Sequence, residues 1–141
     1  MSELPAPCLL CRGLRAERLD GGLRCARCGW RFGDAPDPDL PPPRVDVVYY
    51  LRWRDRIKIG TTANPRQRLA AIAHEELLAF ERGDRTLEHS RHLEFAELRL
   101  GGEWFAAADV LVAHAAELRG NQDPWDSYVR WFATDLAAIT G

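Results

Sequence analysis

Four cysteines set in two Cys-x2-Cys pairs, Cys8 with Cys11 and Cys25 with Cys28, constrain this chain more than any other feature. Each pair can offer two thiolates from one tight turn. The thirteen residues between the pairs are enough for a short hairpin that brings the two turns together. All four cysteines of the chain fall in this single pattern, which predicts a tetrahedral four-thiolate metal centre. With every ligand position taken by sulfur, such a centre is structural. The donor set and spacing favour zinc, with an iron site as the alternative. Gly13 and Gly29 suit the two turns, and Asp20-Gly21-Gly22 suits the hairpin turn between them.

This spacing resembles a zinc ribbon over residues 6–33, and residues 1–34 read as one metal-stapled unit. About thirty residues hold too little apolar surface to fold without the metal. Residues 35–44 follow with five prolines and read as an extended linker. No apolar run approaches the ~20 residues of a membrane span, and no signal peptide is visible, so the expectation is a cytoplasmic protein without membrane contact. In that compartment the cysteines are thiols or metal ligands.

Charge is distributed more tellingly than its sum of −2 implies. Residues 44–68 carry six arginines, one lysine and two acids, whereas residues 69–141 carry thirteen acids and six arginines. A local basic stripe is what a phosphate backbone attracts, whatever the sign of the whole molecule. Arg52, Arg54, Arg56 and Arg66 are therefore candidate nucleic-acid contacts. The chain has eighteen arginines but a single lysine, Lys58, which falls inside the stripe.

From residue 45 the pattern becomes that of an α+β domain over 45–120. Val45 to Trp53 is β-branched and aromatic, Arg54-Asp55 can turn, and Arg56 to Gly60 can return as a second strand. Period-two alternation then puts Tyr49 and Lys58 on one face, with Ile57 and Ile59 on the other. Asn64-Pro65 is a helix start, and that helix is expected to run to about Ala73 with Arg68 in its first turns. Glu76 to Glu81 reads as a third strand. A helix capped at Asp84 or Thr86 is expected to run to about Leu100, with Glu88, His92, Phe95 and Arg99 on one face. Glu103 reads as a turn or cap residue, with Trp104 and Phe105 as core anchors. A third helix spans Ala108 to Arg119. The segment 121–141 holds an amphipathic helix starting at Asp123-Pro124, its aromatic stripe serving packing.

Val47-Val48-Tyr49, Lys58-Ile59-Gly60, Arg68 eight residues later, Glu88-x3-His92-x2-Phe95 and Gly102-Glu103-Trp104-Phe105 occur in this order. Over residues 46–105 they resemble the GIY-YIG nuclease superfamily, more closely its branch with Lys-Ile-Gly at the second motif. The resemblance implies a three-stranded antiparallel sheet flanked by helices. It also implies a metal-dependent endonuclease acting on DNA, with the zinc ribbon assisting binding. In that reading Glu88 holds Mg²⁺ or Mn²⁺, and Arg68 neutralises charge developing on the phosphate. Tyr49 orients or deprotonates the attacking water, Lys58 favours its phenolate, and His92 assists as a neighbour of Glu88. The alternatives are a non-catalytic module of the same fold that binds DNA or RNA, and a protein-interaction adaptor. The sequence leaves the oligomeric state open.

Overall fold

The computed structural model describes residues 2–140. In chain order its elements are β1 (Ala16–Leu19), β2 (Gly22–Cys25), β3 (Val47–Trp53), β4 (Arg56–Thr62), α1 (Pro65–Ala70), β5 (Glu76–Arg82), α2 (Arg85–Glu94), β6 (Arg99–Gly101), β7 (Trp104–Ala106), α3 (Asp109–Arg119) and α4 (Pro124–Thr140). Two units form: one joins Met1–Arg44 to Trp125–Gly141, and the other is Val45–Pro124. No helix among the described residues is long and apolar enough to cross a membrane.

In the first unit β1 and β2 form an antiparallel hairpin with Leu19 opposite Gly22. Its turn needs left-handed backbone at Asp20 (φ 53°) and Gly21 (φ 75°), which Asp and Gly tolerate better than other residues. One apolar core is shared with α4. Leu4, Ala16, Trp30 and three of the cysteines meet Val129, Ala133 and Leu136, with Tyr128 and Phe132 packed against them. Those α4 residues recur at three- and four-residue intervals, so one stripe of the helix faces the hairpin. Ile139, three residues beyond Leu136, is exposed.

The second unit is α+β, and every strand pairing in it is antiparallel. The three strands expected from the sequence are present as β5-β3-β4, but the sheet has five, in the order β5-β3-β4-β7-β6. The extra pair arises where α2 stops. Phe95 caps the helix, residues 96–98 tighten into a 3-10 turn, and Arg99–Gly101 goes extended rather than continuing to Leu100. Gly102 (φ 56°) supplies the positive φ that the tight β6–β7 turn requires. β7 then pairs with the first half of β4, Ile57 opposite Phe105 and Lys58 opposite Trp104.

Alternation sorts the sheet's faces. Val48, Tyr50, Ile57, Ile59 and Phe105 point to a core shared with Phe95 of the α2 cap and with Leu111 and Ala115 of α3. The register puts Tyr49, Leu51, Trp53, Lys58, Gly60 and Trp104 on the opposite face. α1 starts as expected, with Asn64 capping through its side chain and Pro65 in the first turn, but it ends at Ala70.

Candidate functional site

Two clusters of chemically capable side chains form, one in each unit. In the first, the Sγ atoms of Cys8, Cys11, Cys25 and Cys28 all lie within 4.8 Å of one another. The four cysteines are thus positioned to bind a metal ion. The Cys8–Cys28 and Cys11–Cys25 sulfurs are 3.6 Å and 3.5 Å apart. A tetrahedron of thiolates about 2.3 Å from zinc has edges of about 3.8 Å, so the donor set fits that ion.

The two cysteine turns repeat one backbone pattern. Cys8 N–H donates to Gly13 O and Arg12 N–H to Cys8 O; Cys25 N–H donates to Trp30 O and Gly29 N–H to Cys25 O. Arg12 (φ 65°) and Gly29 (φ 85°) occupy the equivalent left-handed position. Gly13 leaves room for the sulfurs: a Cβ there would crowd them, at 3.1 Å from Cys25 Sγ and 3.2 Å from Cys11 Sγ. α4 braces the second turn. Arg27 Nε donates to Asp126 at 2.6 Å, and Arg130 donates to the carbonyls of Ala26 and Arg27 at 2.8 and 3.0 Å. Burial pushes the Cys28 and Cys11 thiols up. Cys25 is also raised by burial, but the N–H groups of Cys28 and Arg27 outweigh this and hold it below its ordinary value.

In the second unit the structure brings Tyr49, Lys58, Arg68, Glu88 and His92 to the β4 end of the sheet face and its edge. Tyr49 is fully buried, and its ring lies directly over Gly60. A Cβ on Gly60 would come within 2.3 Å of the phenol oxygen, so this neighbour has to be glycine. The exposed Arg68 guanidinium donates from Nε to the Tyr49 hydroxyl at 3.4 Å. Burial raises the phenol's pKa. Arg68 opposes that, while the carboxylates of Glu103 and Glu88 add to it. The phenol therefore keeps its proton at neutral pH. The expectation that Lys58 favours the phenolate is not met, because the cation at the hydroxyl is Arg68. Lys58 Nζ is instead 3.5 Å from a Glu103 carboxylate oxygen and 5.4 Å from the centre of the Trp104 ring.

Glu88 and His92 reach the site around the β4 edge left open beyond Lys58. His92 Nε2 lies 2.8 Å from Ile59 O, and its ring packs on Phe105 at 5.0 Å. A carbonyl only accepts, so Nε2 carries the proton and is engaged in holding α2 to the strand. Burial and the nearby Glu103 carboxylate raise the Glu88 pKa, with His92, Arg85 and the Thr61 N–H pulling the other way.

No family model, curated protein or solved structure matches this chain.

Two features of the site were absent from the sequence expectation. Glu103 does sit at the β6–β7 turn, but that turn delivers its carboxylate to Lys58 and into the field of Glu88. Trp104 is half-buried rather than a core anchor, whereas Phe105 is fully buried as expected. The spacing Gly102-Glu103-Trp104-Phe105 held the signal, since alternation in a strand puts Trp104 and Phe105 on opposite faces. Arg52, Arg54 and Arg56 gather at the β3–β4 turn, and Arg66 is exposed on α1. Tyr50, next to Tyr49, faces the other way. Its hydroxyl donates to Glu81 at 3.0 Å and lies 3.2 Å from His114 Nε2.

Proposed function

We propose that the second unit is a metal-dependent endonuclease of the GIY-YIG type that hydrolyses phosphodiester bonds in DNA, with the first unit as a zinc ribbon that assists nucleic-acid binding. The observation that carries this reading is the convergence of a buried phenol, an exposed guanidinium and two carboxylates at Tyr49, Arg68, Glu88 and Glu103. The motif order along the chain supports it independently.

A carboxylate whose proton affinity is raised by burial and by a second carboxylate nearby suits a hard divalent cation. Glu88 would hold Mg²⁺ or Mn²⁺, with Glu103 as the neighbouring acid; such an ion supplies Lewis-acid stabilisation of the phosphate. Hydrolysis forms a bond from phosphorus to a water oxygen and breaks one ester bond to the leaving oxygen. Arg68 is placed to neutralise the negative charge that accumulates between those events. Tyr49, buried, protonated and fixed over Gly60, accepts a hydrogen bond from Arg68 and so positions the guanidinium for the phosphate. Lys58 holds Glu103 in place, and His92 holds α2, and so Glu88, against the strand edge.

The test is incubation of the metal-loaded protein with labelled duplex, single-stranded and branched DNA, with Mg²⁺, Mn²⁺ or chelator. Nicking is expected only with a divalent ion and is reduced by about 10²–10³ in Arg68→Ala, with a similar loss in Glu88→Ala. Binding without turnover in every metal would replace this reading with the non-catalytic module. An open apolar cleft of about 210 Å³, lined by Leu4, Pro7, Leu9, Trp30 and Phe32 among others, favours a second reading as a protein-docking adaptor. Its mark is the absence of salt-dependent DNA affinity.

A further inference from the structure

The Tyr49 face of the sheet does not end at the cluster described above. Tyr49, Leu51 and Trp53 follow one another along β3 at every second residue, so Trp53 lies about 13 Å beyond Tyr49. Across the sheet, Arg56 is opposite Trp53, and Lys58 is opposite both Leu51 and Trp104. This part of the face therefore alternates rings and cations. Lys58 Nζ sits 5.4 Å from the Trp104 ring centre, and the Arg54 guanidinium sits 5.5 Å from that of Trp53. Both tryptophans are partly exposed, and Arg54 and Arg56 are exposed.

The turn that carries Arg54 holds a second observation. Arg54 has φ 56°, the left-handed region that glycine occupies at little cost and arginine does not. Its N–H is tied to the Glu75 carboxylate, and its carbonyl accepts from Arg52 Nε at 3.0 Å. The backbone is thus locked in a conformation unfavourable for the residue that occupies it, at the point where that residue's side chain covers Trp53. A turn selected for stability alone would carry glycine there.

Rings interleaved with cations serve a specific polymer. A duplex keeps its base faces stacked inside and offers only phosphates, which cations alone can satisfy. Unpaired nucleotides offer phosphates and open base faces together, and stacking on tryptophan tolerates any base. We propose that Trp53, Arg54, Arg56, Lys58 and Trp104 form a track for unpaired nucleotides flanking the bond at the Tyr49 site, so that the substrate class is DNA with a single-stranded segment. This rests on the nucleic-acid reading above and specifies its substrate.

The test measures binding of the full metal-loaded chain by fluorescence anisotropy at one fixed salt concentration. The probes are a labelled oligothymidine, a blunt duplex and the same duplex with a single-stranded tail. The oligothymidine and the tailed duplex are expected to bind about tenfold more tightly than the blunt duplex. Trp53→Ala and Trp104→Ala should each remove most of that difference, and Trp53→Phe should restore part of it. Arg54→Gly suits the turn's left-handed backbone and removes the side chain that covers Trp53; it should weaken single-strand binding about threefold. Equal affinity for blunt duplex and single strand, or unchanged preference in the tryptophan variants, overturns the track while leaving the nuclease reading intact. Failure to bind any of the three probes at low salt removes the nucleic-acid reading itself, and the track with it.

Discussion

The two units bury apolar cores of very different substance. Among the described residues nine form the core of the cysteine unit, and three of them are cysteines. Nine also form the core against the five-stranded sheet, but these include two aromatic side chains at full burial, Tyr50 and Phe105, and no cysteine. Sulfur contributes to packing as a small apolar group, yet a four-thiolate cluster is useful mainly when a metal joins its members. The sheet unit depends instead on apolar area, and on a polar network that locks its helices. Stability in the first unit is thus expected to depend on a bound metal, and that of the second on its own packing.

Metal removal should separate the units most sharply. Binding to a four-cysteine site contributes on the order of 10–16 kcal/mol in small zinc domains, far more than a core of this size. Chelation, or Cys28→Ser, is expected to collapse the amide dispersion of residues 2–34 and of α4, leaving the sheet unit's spectrum in place. Because binding requires thiolates, the metal should be released on acidification. A chelated protein whose ribbon amides stay dispersed would erase the contrast.

The matching lesion in the sheet unit is Arg91→Met. Arg91 pairs with Glu81 through two nitrogens and reaches Glu94 at 2.7 Å, and Glu81 also accepts from the buried Tyr50 hydroxyl. The variant leaves Glu81 and Tyr50 without their cation, at a cost of about 3 kcal/mol in urea unfolding at neutral pH. Burial alone would raise the Glu81 carboxyl, but Arg91 and Tyr50 outweigh it and hold the group below its ordinary value. With the folded pKa depressed, the unfolded chain binds more protons. Glu81 therefore stabilises the fold above the ordinary carboxylate range near ~4.3, and this is lost as pH falls through the depressed value. Arg91→Met should flatten that acid limb. A wild-type limb retained in the variant would place the acid sensitivity elsewhere.

Gly60→Ala should cost less, about 1–3 kcal/mol, by forcing the Tyr49 ring away from the strand. Under the proposed nuclease reading it should also lower DNA cleavage by more than its stability loss explains, because the phenol leaves Arg68. In a Tyr49→Ala background the same substitution should be nearly neutral, and a cycle of the two variants measures that coupling. Additive effects would mean that Gly60 matters for a reason other than the ring above it.

These effects divide by how local their cause is, and so does what the sequence revealed. The Cys-x2-Cys spacing, the alternation through Val47–Thr62 and the Asn64-Pro65 start are short-range patterns, and each reads directly as an element. The face shared by Tyr49 and Lys58 followed from alternation alone. The β6–β7 pair did not, because Arg99 continues the helical spacing of Glu88, His92 and Phe95, and three-residue strands are too short to show a period. Glu103 was lost with it, since its place beside Lys58 depends on β7 pairing with β4, more than forty residues earlier. The helix α4 showed an apolar stripe, but nothing in that stripe names the hairpin about a hundred residues earlier that covers it.

The smallest effect concerns a feature the two units share, an arginine where the backbone favours glycine. Arg12 (φ 65°) stands in the first cysteine turn where the second has Gly29, and Arg54 (φ 56°) stands in the β3–β4 turn. Left-handed backbone costs a residue with a Cβ about 1–2 kcal/mol, and glycine returns about 0.5–1 kcal/mol of that as extra freedom in the unfolded chain. Arg12→Gly and Arg54→Gly should therefore each stabilise their own unit by about 0.5 kcal/mol. For Arg12 the gain should appear only with metal bound, because the turn that demands the positive φ exists only in the folded ribbon. Thermal unfolding of the two variants with and without chelator checks this. Arg12→Gly should raise the ribbon transition of the metal-loaded protein and change nothing after chelation, while Arg54→Gly should raise the sheet transition in both. Destabilisation by Arg12→Gly would mean that its guanidinium contributes more than the backbone strain costs, making that side chain, like Arg54, one retained for contacts instead of turn geometry.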